Sequence, residues 1–236
     1  MKIVQRLSPN QSKNLRSFRD IKFIIIHYTG MQSEIESIKR LLNPKSKVSC
    51  HYLISRNGKI IQMVKDTRVA WHAGKSKWKK FTNLNKNSLG IELVNRGHKY
   101  GYQSFSNKQI ISLIQLCKKL KKKYLIKREN FLGHSDIAPL RKNDPGEKFP
   151  WESLSTHNIG MWYKKRGNYD FAVIKKKIKI HFFKNLHKIG YGYFSINKRN
   201  SKDKKIIKSF QRHYLPGNVT GRIDQKTFII SHFLAH

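Results

Sequence analysis

The sequence predicts an α/β domain followed by a small all-α three-helix domain, and three observations carry that reading. From about Ile21 to Trp162, short apolar runs of strand length alternate with segments of helical spacing. Within that block, Asn57-Gly58 sits between two strand-like runs, a strong two-residue hairpin signal. From about Asn168 the texture changes to short amphipathic segments of helical spacing alone.

Taken in order, Lys22 to Tyr28 suits a central strand. Glu34 to Leu42 places Ile35, Ile38, Leu41 and Leu42 at helical spacing before Pro44 stops it. Tyr52 to Ser55 and Lys59 to Val64 flank Arg56-Asn57-Gly58 as the arms of a hairpin, and Leu89 to Val94 reads as another buried strand. The clearest helix starts at Ser106. Gln109 would complete a capping box, Phe105 would staple against Ile110, and Ile110, Leu113, Ile114, Cys117, Leu120 and Tyr124 share one face. That spacing makes Cys117 a core residue. His134 to Trp151 then runs without periodicity through several Pro and Gly residues, and a loop this long in a compact domain is usually functional. Phe171 to Phe183, Asp203 to Tyr214 and a segment capped by Asp224 complete the helical module.

Length and composition bound the function. A chain of 236 residues builds a proper core without disulfides, and its two cysteines, Cys50 and Cys117, have no metal-ligand spacing. No stretch reaches the roughly 18 apolar residues of a membrane helix. Met1 to Arg19 lacks the apolar centre of a secretory signal and any early cysteine for a lipid anchor. The expectation is therefore a cytoplasmic chain, or one of the periplasm or envelope if an export signal has been removed. Fifty Lys and Arg against thirteen Asp and Glu give a formal charge of +37, which favours any polyanion. The lysines are scattered, and no nucleic-acid motif accompanies them, so a solvated surface is the simpler reading and no specific nucleic-acid partner is expected. Nothing in the sequence specifies an oligomeric state.

Polar residues interrupt strand ends or the long loop at three places: Ile26-His27-Tyr28-Thr29, Gly90-Ile91-Glu92-Leu93, and Gly133-His134-Ser135-Asp136 followed by Arg141-Lys142-Asn143-Asp144-Pro145-Gly146. Each is weak alone, since a single His at a strand end is more often structural. Together they supply two histidines, a carboxylate, a further Glu and a Lys, and a catalytic zinc wants three protein ligands and one open position.

On these motifs, with His51-Tyr-Leu-Ile, Ala-Trp71-His72-Ala-Gly74 and Asn87-Ser88 in the same order, the chain resembles the zinc-dependent N-acetylmuramoyl-L-alanine amidases, which share their fold with peptidoglycan recognition proteins. The resemblance implies a central mixed β-sheet flanked by helices. It implies one zinc ion on His27, His134 and Asp144, with Glu92 as general base and acid and Lys142 as stabiliser of the oxyanion. It places His51, Trp71 and His72 beside the metal as substrate contacts, with buried, hydrogen-bonded wall residues as the alternative. Asp136 would fix the loop or orient a ligand histidine. The substrate implied is peptidoglycan or a muropeptide. Ile207 to Tyr214, Thr220-Gly221, Asp224 and Thr227 resemble the three-helix peptidoglycan-binding domain of wall hydrolases, dividing the chain into a catalytic domain, 1–167, and a peptidoglycan-binding-like module, 168–236. His157, His181, His187, His213, His232 and His236 form no ligand spacing and are expected at the surface. The rival reading is a protein of the same fold that binds peptidoglycan without cutting it; a complete ligand set with Glu92 and Lys142 argues against it.

Overall fold

The computed structural model describes residues 2–164 and 178–236. The run from Phe23 to Tyr28 forms β2, and its alternate side chains divide the interior: Ile24 and Ile26 face one apolar cluster, Phe23 and Ile25 the other. Around it β1 (Ile3–Gln5), β3 (Tyr52–Ile54), β4 (Ile60–Gln62), β7 (Ser88–Leu93) and β8 (Phe131–Gly133) complete a six-stranded sheet in the order β1-β4-β3-β7-β2-β8. The Asn57-Gly58 turn closes the antiparallel β3–β4 pair, whereas β3, β7, β2 and β8 run parallel, so the sheet is mixed. Two short strands, β5 (Lys77–Trp78) and β6 (Phe81–Thr82), pair separately.

Helix α1 (Glu34–Leu42), capped by Ser33, buries Ile38 and Leu41 against Leu53 and Ile61. Helix α2 (Asn107–Tyr124) covers the other face of the sheet with Leu113, Leu116, Cys117 and Leu120. Ser106 caps α2 by accepting from the Gln109 amide at 3.2 Å, but the expected second half of the box does not form. The Gln109 side chain is buried and donates instead to the carbonyls of Ile54 and Val94, tying the helix to the sheet.

After β8 come α3 (His134–Ile137) and α4 (Trp151–Ser155), then the C-terminal helices α5 (Ile178–Ile189), α6 (Asp203–Tyr214) and α7 (Gln225–Ala235). The division at 167/168, and the start of the helix expected from Phe171, lie outside the described residues. Phe182, Phe183, Phe210 and Phe228 of these helices share one buried cluster with Phe23, Ile25, Trp78 and Ile137. Among the described residues, no helix is long and apolar enough to cross a membrane.

Candidate metal centre and cleft

Parallel strands end at the same edge of a sheet, so the C-terminal ends of β2, β7 and β8 deliver their residues to one place. His27 is the register partner of Glu92, and Ile26 pairs with Gly133, directly before His134. Alternation puts Ser88, Gly90 and Glu92 on the same face as Phe23, Ile25 and His27. Asp144 comes from the long loop, which returns to the sheet because Ser135 N–H donates to the Asp144 carbonyl at 2.8 Å. Gly133 permits that approach: a Cβ there would stand 2.7 Å from Cδ of Pro145.

The three side chains meet closely. His27 Nδ1, His134 Nδ1 and Asp144 Oδ2 lie 3.0 Å from one another, all buried. Burial, followed by the neighbouring His134, lowers the His27 pKa to about 4 and keeps its ring neutral. Burial alone would raise Asp144, but the two imidazoles beside it hold its carboxyl well below the usual carboxylate range. Two imidazoles and a carboxylate with their donor atoms crowded together form a set that a divalent cation fits; among the described residues this trio is the group able to hold a metal ion.

The centre opens into a cleft of about 450 Å³, lined by Glu92, Lys142, Trp71 and His72, with Ser37 and Arg40 of α1 and Tyr28 and Tyr100 around them. Glu92 is half-buried, its Oε2 is shut off from solvent without a hydrogen-bond partner, and burial, then Asp144, pushes its pKa up to about 8. Lys142 opposes that shift by charge. Trp71 stands 37% exposed on the wall. His72 lines the cleft, but both its ring nitrogens are engaged: Nδ1 with His27 Nε2 at 3.0 Å, Nε2 with Ser88 Oγ at 3.2 Å. Burial lowers the His72 pKa well below its ordinary value.

His51 does not line the cleft. It is buried beneath the sheet edge, its Nδ1 accepting from Gly90 N–H and its Nε2 meeting the Arg68 carbonyl, and burial lowers its pKa to about 3. Asp136 does not touch the His134 ring; it accepts from Gly133 N–H, from Tyr191 and from His213 Nδ1, each at 2.7 Å. His213, expected at the surface, is therefore buried, and it stacks on Trp151. Sequence reasoning had no signal for this pair, since its members lie 77 residues apart. It also missed Asn85, and it quoted Arg141 within the loop motif without a role; both hold the backbone around Ala73.

Three potential ligand atoms within 3.0 Å of one another, with a carboxyl nearby that is able to trade a proton, make up the equipment of a metal-dependent hydrolase. The profile of the N-acetylmuramoyl-L-alanine amidases matches residues 17–147. The amidase AmiD of Escherichia coli is 37% identical over 230 residues, covering 91% of this chain and 82% of its own. The chain belongs to the N-acetylmuramoyl-L-alanine amidase family. A structure of Escherichia coli AmiD in complex with anhydro-N-acetylmuramic acid-L-Ala-D-γ-Glu-L-Lys superposes with a TM-score of 0.79 at 31% identity, covering 94% of this chain and 91% of that one. The 1,6-anhydro-N-acetylmuramyl-L-alanine amidase AmpD of Haemophilus influenzae is 35% identical over 57% of this chain and 80% of its own length.

Proposed function

We propose that the protein uses one zinc ion, held by His27, His134 and Asp144, to hydrolyse the amide between N-acetylmuramic or anhydro-muramic acid and L-alanine in peptidoglycan or muropeptides. The observation that carries this is the convergence of the three donor atoms at 3.0 Å at the floor of a cleft that also holds Glu92. When bound, zinc would supply Lewis acidity, lowering the pKa of a water toward about 7. Glu92 takes the proton of the attacking water and hands it to the departing alanine nitrogen, which leaves poorly without it. Burial and the Asp144 charge favour the protonated carboxyl that holds this proton between the two transfers, while the Lys142 charge favours the ionised form that takes it. Lys142 brings positive charge to the cleft where the carbonyl oxygen becomes an oxyanion. Trp71 offers an exposed indole face for stacking on a sugar ring.

In this reading residues 1–167 catalyse and residues 168–236 add a second contact with the polymer, raising its effective concentration. The AmpD match supports the division, because it spans most of that amidase while using little more than half of this chain.

The test is release of free stem peptide from purified muropeptides, identified by mass spectrometry, for native, chelator-stripped and zinc-restored protein and for Glu92→Gln. Cleavage at the lactyl-alanine bond should disappear on stripping, return with zinc, and fall in Glu92→Gln by about 10²- to 10⁴-fold. A zinc-loaded protein that binds muropeptides and leaves them intact would be a recognition protein, and the roles above would be wrong.

A further inference from the structure

The segment His72-Ala73 touches both histidines of the trio on their outer nitrogens. His134 Nε2 faces the Ala73 carbonyl at 3.1 Å and Arg141 Nη2 at 3.3 Å; both Nη2 protons already go to the Ala73 and Lys75 carbonyls, so the acceptor at Ala73 decides, Nε2 carries the proton and Nδ1 presents its lone pair to Asp144. On His27 the same question is settled through a longer chain. The Ser88 hydroxyl donates to the Leu84 carbonyl at 2.5 Å, so its oxygen accepts from His72 Nε2–H. The neutral His72 ring then has an acceptor at Nδ1, which takes the His27 Nε2 proton at 3.0 Å. His27 Nδ1 is left bare at the centre.

The backbone is shaped for this. Asn85 Oδ1 accepts from both His72 N–H and Ala73 N–H, at 3.1 and 2.6 Å. The His72 ring lies flat on β7 where the strand has Gly90, and a Cβ there would come within 2.4 Å of the ring.

We propose that His72 is a positioning residue of the metal centre: with the Ala73 carbonyl, it fixes both ligand imidazoles as Nε2–H tautomers with Nδ1 bare. Without these outer acceptors, a proton on either Nδ1 would satisfy Asp144 and block the centre. The role differs from a substrate contact, because it acts with the cleft empty. It rests on the zinc reading given above.

Two substitutions separate this role from packing. His72→Phe fills the space over Gly90 and removes the acceptor, whereas His72→Asn shortens the side chain and keeps an acceptor at the Nδ1 position. Zinc affinity, measured by competition with a chromophoric chelator, should weaken about ten- to a hundredfold in His72→Phe and stay within a few-fold of the parent in His72→Asn. In the zinc-loaded parent, ring 15N shifts should place the His72 proton on Nε2, a readout that needs no variant. Parental affinity in His72→Phe, equal losses in both variants, or a His72 proton on Nδ1 would overturn the proposal. A parent that binds no zinc would instead remove the reading on which it rests.

Discussion

Glu92 and the buried histidines pull the stability of the metal-free protein in opposite directions with pH. His27 and His51 are neutral with pKa values lowered to about 4 and about 3, so their contribution is present above about 6.5 and is lost as pH falls through those values. Glu92 is raised from 4.5 to about 8, so its contribution is present below 4.5 and is lost as pH rises through about 8. Thermal melts of chelated protein should show Glu92→Gln melting above the parent at about pH 8.5 and level with it at about pH 4. Lys142→Ala should lower kcat by about 10²- to 10³-fold in the muropeptide assay with little change in KM, as expected of a charge used chiefly in the transition state. At this scale the sequence was informative where motifs supplied several chemical groups at once: His27, His134, Asp144, Glu92 and Lys142 all reach the cleft. It was silent on Asn85, an ordinary amide until its contact with the backbone of His72 and Ala73 is seen.

Helical spacing located α1, a continuous apolar run β2, and the Asn57-Gly58 turn signal the β3–β4 hairpin, each within a residue or two. The two- and three-residue strands β1, β5 and β6 are too short to show any period. The pairing of β2 with β7 was not legible either, since Phe23 and Ser88 lie 65 positions apart and are matched by packing alone. Ser106→Ala should cost about 1 kcal/mol in denaturant unfolding, the loss of one cap bond at the start of α2. Gly133→Ala should cost about 1–3 kcal/mol and weaken zinc binding, because its Cβ presses on Pro145 beside the proposed ligand Asp144.

Across the whole molecule, the C-terminal helices pack into the interior of the sheet domain. Phe210 of α6 is fully buried in the cluster that holds Phe23 and Ile25 of β2. Calorimetry should therefore show one unfolding transition, and Phe210→Ala should lower it as a unit by about 3–5 kcal/mol. A resolved second transition would mean that the helices fold on their own. The texture change near Asn168 announced the helices but not their seat, because amphipathic faces do not name the surface they cover. Ser209 donates to the Ser135 carbonyl and His213 to Asp136, so α6 grips the short helix that begins with His134. The helical module is thus wired in series with the catalytic centre. Chimeras that exchange it as a free cassette will disturb the proposed metal site unless Asp136, Ser209 and His213 travel together.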